Sequence, residues 1–253
     1  MKIIFPLTAL LMLSTPASAV TNLEFFRDES TGKKFHSDIE MSLSGENGNY
    51  KSKGLDTNLA FAWDDENSHF MTILEHQWGS HNGSAEKNNS FMHTRYTRKL
   101  EVGSGNHIEF FVQGRRDSFL NIRSRLVGGV GYRKTFFNET NNRFNAFGAG
   151  LLFEKEKGVN NGIKEDRLGW RLNGYWHHKQ PITKSLSANN VIYIQPSLKK
   201  ISEIRIHDEF RITNKIGKNA EIGFKVTFNY NSSPFNPTKN TDINYGTFVS
   251  YNF

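Results

Sequence analysis

The chain ends on Asp242-Ile-Asn-Tyr-Gly-Thr-Phe-Val-Ser-Tyr-Asn-Phe253. Side chains of an extended strand alternate between its two faces. Tyr245, Thr247, Val249, Tyr251 and Phe253 therefore share one face, and Asn244, Gly246, Phe248, Ser250 and Asn252 share the other. This is a strand with one apolar, aromatic face and one mostly small or polar face. It runs to the final residue. By itself it fits an ordinary amphipathic strand of a soluble sandwich as well as a strand that faces lipid on one side.

The same alternation recurs through the chain. Candidate strands fall at about 35–45, 53–64, 67–78, 89–101, 106–116, 121–136, 141–156, 165–178, 185–196, 201–214, 218–229 and 241–253. Leu59, Phe61 and Trp63 share a face, as do Ile108, Phe110 and Val112. Leu168, Trp170, Leu172 and Trp176 oppose Arg167, Arg171, Asn173 and Tyr175. Ile204, Ile206, Phe210 and Ile212 oppose Arg205, His207, Glu209 and Arg211. Twelve is an even number, and each strand is long enough to cross a bilayer at a tilt. The pattern predicts an all-β fold, a transmembrane antiparallel up-and-down β-barrel of about 12 strands. Closure satisfies every backbone group in lipid and leaves no open edge. In such a barrel Tyr245, Val249, Tyr251 and Phe253 resemble the C-terminal assembly signal of bacterial outer-membrane barrels.

Connection lengths give a second, independent reading. With both ends on the periplasmic side, the periplasmic turns lie near 64–67, 102–106, 137–141, 178–184 and 214–218, and all are short. The longest connections, 79–87, 157–165 and 230–241, fall on the other side, as barrels of this class require.

Composition agrees. The chain holds 21 Phe, 8 Tyr and 4 Trp yet has a mean hydropathy of −0.59. Aromatics displayed to lipid, over a polar lumen, reconcile those two values. Residues 1–19 read as a signal peptide: Lys2, an apolar core over Ile3–Leu13, then Ala17-Ser18-Ala19 as the cleavage site. An uncleaved N-terminal anchor is the alternative. Residues 20–34 form a short polar lead-in, and 35–253 the barrel. There is no cysteine, so no disulfide holds the exported chain. The net charge of +7 falls to about +6 without Lys2. Export argues against nucleic acid as a partner. The basic balance points to an Arg-lined lumen or to contact with acidic lipopolysaccharide.

Arg115, Arg123, Arg125, Arg133, Arg167, Arg171, Arg205 and Arg211 are expected to point inward, because charge on the lipid face is costly. Seven of them (Arg123, Arg125, Arg133, Arg167, Arg171, Arg205 and Arg211) make the candidate lumen-facing basic set. They could form an electrostatic filter for small anionic solutes, or an internal ion-pair network that fills the barrel. No enzymatic site is expected. A serine hydrolase would need His and Ser together, and His-x-Ser does not occur. Gly128, Gly129, Gly131, Gly148 and Gly150 lack the Lys-Ser/Thr and helix of a phosphate loop. No metal or cofactor is implied. A hydrolase acting on lipid or peptide at the rim is the alternative from another class.

Three stretches resemble a known family. The first is Ile108-Glu-Phe-Phe-Val-Gln-Gly-Arg-Arg-Asp-Ser-Phe-Leu120 with Arg125-Leu-Val-Gly-Gly-Val-Gly-Tyr-Arg133. The second is Tyr193-Ile-Gln-Pro196 running into Ile204-Arg-Ile206, and the third Asn229-Tyr-Asn-Ser-Ser-Pro234 before the terminal strand. Their order and spacing over 35–253 are similar to the outer-membrane proteins grouped as domain of unknown function 481, also described as salt-induced and YdiY-like. The resemblance implies a bacterial outer-membrane location, the barrel assembly machinery as a partner, and contact with outer-membrane lipid and lipopolysaccharide. It implies no settled activity beyond a narrow pore or a structural, stress-related envelope role.

Overall fold

The computed structural model describes residues 34–47, 51–81, 84–101, 103–118, 120–138, 140, 142–235 and 239–253. The leader and lead-in expected for 1–34 lie outside it, Lys34 aside. Twelve antiparallel strands close on themselves in sequence order, with β1 beside β12. They are β1 (Phe35–Asn47), β2 (Lys51–Asp64), β3 (Ser68–His81), β4 (Ser84–Lys99), β5 (Asn106–Asp117) and β6 (Ile122–Asn138), then β7 (Arg143–Asn160), β8 (Ile163–Pro181), β9 (Leu186–Pro196), β10 (Ile204–Lys215), β11 (Ala220–Asn231) and β12 (Thr241–Asn252). Among the described residues no helix is long and apolar enough to cross a membrane. A barrel crosses with strands instead.

The closing seam is short. Asp38 to Met41 face Asn252 to Val249, and the Phe253 amide donates to the Ser37 carbonyl at 2.9 Å. We call the end of the barrel holding Phe35 and Phe253 the terminal end, and the other the distal end. Val249, Tyr251 and Phe253 are exposed on the outer wall, and the Tyr251 and Phe253 rings meet at 4.8 Å. With Phe35, Trp63, Phe70, Phe136, Phe147 and Trp176 they make an aromatic girdle around the terminal end. Such a girdle belongs at a membrane–water interface.

Strand phase follows the alternation except at the start of β6, and two hairpins are longer than their sequence indicates. The connections expected at 79–87 and 157–165 are mostly strand. β7 reaches 18 residues and β8 19, well beyond what a bilayer crossing needs. Asn161 and Gly162, at φ +49° and +81°, make the tight turn that lets β7 and β8 pair to their tips. The longer distal connections are 197–203 and 232–240.

Glycines shape the interior. A Cβ on Gly129, Gly148, Gly158 or Gly223 would lie well inside 3.0 Å of the rings of Phe111, Tyr175, Phe235 and Phe248 respectively. Three of these pairs are direct cross-strand neighbours: Gly129–Phe111, Gly148–Tyr175 and Gly223–Phe248. Each bare backbone gives an inward ring a place to lie across the neighbouring strand. Within the Gly-Gly-x-Gly run of β6, Gly129 is thus a packing position. Replacing Gly148 with Val should cost about 1–3 kcal/mol of stability by overpacking. Gly128→Ala, which meets nothing within 4 Å, should be neutral. Urea unfolding midpoints of the two variants refolded in detergent check this. Equal midpoints would show that the ring does not need the bare backbone.

Candidate functional site: the charged lumen

The interior buries Arg95, Arg115, Arg125, Arg133, Arg171, Arg205 and Arg211 with Lys225 half-buried, and the carboxylates of Glu40, Glu109, Asp117, Glu154, Glu156 and Glu209. These groups are organised as ion pairs that cross the barrel. Ionised groups out of bulk water are stable only when paired and hydrogen-bonded.

The distal cluster is centred on Glu154 of β7. Its carboxylate accepts from Arg125 of β6 at 2.9 Å, Arg171 of β8 at 2.6 Å and Arg205 of β10 at 2.6 Å. Glu156 takes a second bond from Arg205 at 2.8 Å. Arg171 also donates to the carbonyls of Gln195 and Glu203, tying the 197–203 connection to the cluster.

Two clusters lie nearer the terminal end. Tyr175 of β8 lies over Gly148, so its ring passes across β7. Its hydroxyl donates to Glu109 of β5 at 2.6 Å and accepts from Arg133 of β6 at 3.0 Å. Arg95 approaches the same carboxylate at 3.5 Å. Glu40 of β1 accepts from Arg211 of β10 at 2.6 Å, from Lys225 of β11 at 3.0 Å and from Asn58 of β2 at 3.0 Å. Arg211 also reaches Glu209 at 2.6 Å, and Arg115 pairs with Asp117 at 3.1 Å. Arg133 also lies 3.9 Å from Glu109, so each of these eight cations has a carboxylate partner.

Histidines and amides fill the space between. His93 stacks between Phe91 and Phe111 and bonds Gln113 at 2.8 Å. His177 bonds Asn189 and His207 bonds Asn229. At the distal mouth Phe235 is buried on Gly158, with the Arg167 guanidinium 4.0 Å from the ring centroid. Arg167 holds this lid by donating to the Ser233 carbonyl at 2.6 Å, and Glu165 holds Arg167 at 2.7 Å. Beneath the lid is a cavity of about 30 Å³, room for about one water. It is lined by Ile122, Arg125, Glu156, Arg205 and Phe235 among others.

Of the seven arginines expected to face the lumen, Arg125, Arg171 and Arg205 meet at Glu154. Arg133 lies in the Tyr175 cluster, Arg211 in the Glu40 cluster, and Arg167 at the mouth. Arg123 joins none of them. The β5–β6 register shifts beside it, so that Ile122 and Arg125 both turn inward and Arg123 is exposed on the outer wall. An extra residue in one strand reverses the alternation locally. The carboxylates Glu40 and Glu156, to which the arginines are tied, did not emerge from the sequence. Nor did the pair His76–Ser90, 3.1 Å apart on adjacent strands of the outer wall. A search along one strand misses cross-strand pairs of this kind. Among the described residues His76 has no carboxylate to orient it, and no group of three His, Cys, Asp or Glu could hold a metal ion.

The fold and its paired, charged interior define a closed 12-stranded barrel of the outer-membrane type. The sequence of residues 39–253 matches the family described as a protein of unknown function, DUF481, and the chain belongs to that family. Among solved structures the barrel is similar to the NanC porin (12% identity, 85% of this chain and 98% of that one, TM-score 0.50). Matches also include an outer-membrane channel from Pseudomonas putida F1 (7% identity, 86% and 93% covered, TM-score 0.49). Another is the translocator domain of the autotransporter NalP from Neisseria meningitidis (14% identity, 89% and 90% covered, TM-score 0.47). At such identities the likeness concerns the fold alone, and it rests on the first of these. No curated protein matches in sequence.

Removing the Glu154 charge leaves its three guanidinium groups with only Glu156 to share, 2.8 Å from Arg205 and 3.8 Å from Arg125. Glu154→Gln should lower stability by about 3–5 kcal/mol, the usual cost of breaking a buried pair. Lys157→Gln breaks an exposed pair with Asp166 and should barely move it. The urea midpoints of both variants in micelles test this. A Glu154→Gln midpoint equal to that of the unmodified chain would mean the cluster does not hold the barrel.

Proposed function

We propose that this is a bacterial outer-membrane barrel that rests closed, a structural element of the envelope and not an open porin. The observation that carries this reading is the set of ion pairs and charge-assisted hydrogen bonds crossing the lumen. Tyr175 with Glu109 links β8 to β5, the Glu154 cluster links β6 and β7 to β8 and β10, and Arg211 with Glu40 links β10 to β1. Phe235, buried on Gly158 and held by Arg167, stands at the distal mouth above this cluster. The girdle and the apolar outer wall support the membrane location, with the terminal end at the periplasmic interface. Family membership fits an envelope role and adds no activity.

A second reading is favoured by one further observation. Three guanidinium groups share Glu154 and Glu156 beneath the lid, so a conduit opened past it would present cations to small anions. The two readings separate in a planar bilayer. The refolded chain should be silent, while showing cooperative unfolding that proves it folded. Discrete anion-preferring steps from the unmodified chain would overturn the closed reading and establish the channel. Phe235→Ala alone should remain silent, because the Glu154 cluster lies beneath the lid.

A further inference from the structure

The cations of the outer wall are distributed unevenly. Arg116 of β5, Arg123 of β6, Lys155 and Lys157 of β7 and Lys164 of β8 are all exposed. All lie on the outer face towards the distal end. Pairing makes them neighbours. Arg115 faces Arg125 and Asp117 faces Ile122, which sets Arg116 opposite the bulge that turns Arg123 outward. Ser124 faces Lys157, Leu126 faces Lys155, and Val159 faces Lys164. Among the residues whose side chains are described, a single carboxylate stands beside them, Asp166, 3.5 Å from Lys157.

Directly below this arc, on the same strands, the wall is apolar: Leu126, Val130, Leu151, Leu168 and Trp170 are exposed. Lys155 lies in register between Leu126 and Leu168, and its long stem lets the ammonium reach headgroup depth from the edge of the apolar band. The opposite wall differs. Near the distal end of β9–β12 the outward positions are Ile194, Ile204, Ile206, Phe228 and Ile243, and among the described residues no outward position of those strands carries a cation.

We infer that this arc binds the phosphates of an acylated, multiply phosphorylated glycolipid of the outer leaflet, with its chains laid on the apolar wall beneath. The inference rests on the reading that the barrel spans the outer membrane with its distal end outward. Charge complementarity and position select this partner. Cations at the rim of an apolar band sit at headgroup depth, where phosphate oxygens lie. Two guanidinium groups side by side suit bidentate phosphate recognition. Attraction to an anionic leaflet adds with each cation near the surface.

Titration of the refolded chain with purified lipid A, followed by native mass spectrometry, tests the inference, with phosphatidylcholine as the zwitterionic comparison. The unmodified chain should prefer lipid A, and more salt should weaken the preference. Changing Arg116, Arg123, Lys155 and Lys157 together to Ala should weaken lipid A binding at least about tenfold. Lys199→Ala with Lys200→Ala, in the connection outside the arc, should not. The pair Arg123→Glu and Lys157→Glu is the second variant if the quadruple change does not fold. Unchanged lipid A binding in a folded arc variant would overturn the inference, as would equal binding of the two lipids. Failure of the unmodified chain to insert into any bilayer would instead sink the outer-membrane reading beneath it.

Discussion

The interior of this barrel must neutralise its own charge. Twelve strands enclose more width than side chains fill with ease, and less than leaves a wide channel. Arginine and glutamate reach across that gap where leucine would not. The same reach obliges them to meet. An unpaired ion there would lose its hydration without replacement, at a cost of several kcal/mol. Glu154 shows how the demand is met. Its two oxygens serve guanidinium groups from three strands, so one carboxylate fixes the spacing of β6, β7, β8 and β10. Glu40 does the same for β1, β10 and β11, beside the short seam where twelve-strand closure rests on only a few pairs.

Glycine makes that pairing possible. Tyr175 could not reach Glu109 if β7 carried a side chain at Gly148, because its ring occupies that space. Phe248 over Gly223 follows the same logic on the other wall, and the Arg211 guanidinium stands 4.9 Å from the Phe248 centroid. Inward rings therefore serve as spacers that keep charged groups at bonding distance. The backbone glycines and the ion pairs are one mechanism seen at two levels. This explains why a Gly-rich strand, usually a weak one, runs through the most heavily cross-linked wall.

Strand number and phase were legible in the sequence because lipid and lumen impose opposite demands on alternate residues. The pattern in Leu168, Trp170 and Leu172 against Arg167, Arg171 and Asn173 survives in the structure intact. What escaped has physical reasons. The tips of β7 and β8 extend past the apolar band, so both their faces are polar and they resemble loop. Arg123 was assigned inward because a bulge adds one residue with no compositional mark. The partners of the arginines depend on how far the strands are staggered around the barrel, and no single strand records that stagger. The charged face was therefore readable, while its division into three clusters was not.

The same network decides between a shut barrel and a gated one. Displacing Phe235 would open only the mouth, since Arg125, Glu154, Arg171 and Arg205 lie beneath it. Opening further means separating a buried carboxylate from its cations, at about 3–5 kcal/mol. A state about 2.7 kcal/mol above the ground state is populated at roughly one per cent. On the closed reading the open form therefore sits below that level at rest. A ligand could raise it only by binding the open form better than the closed one. An anion could do so by replacing Glu154 as the partner of the three arginines. On the closed reading, Glu154 thus stands where a permeating anion would have to bind, and closure and selectivity would draw on the same three guanidinium groups.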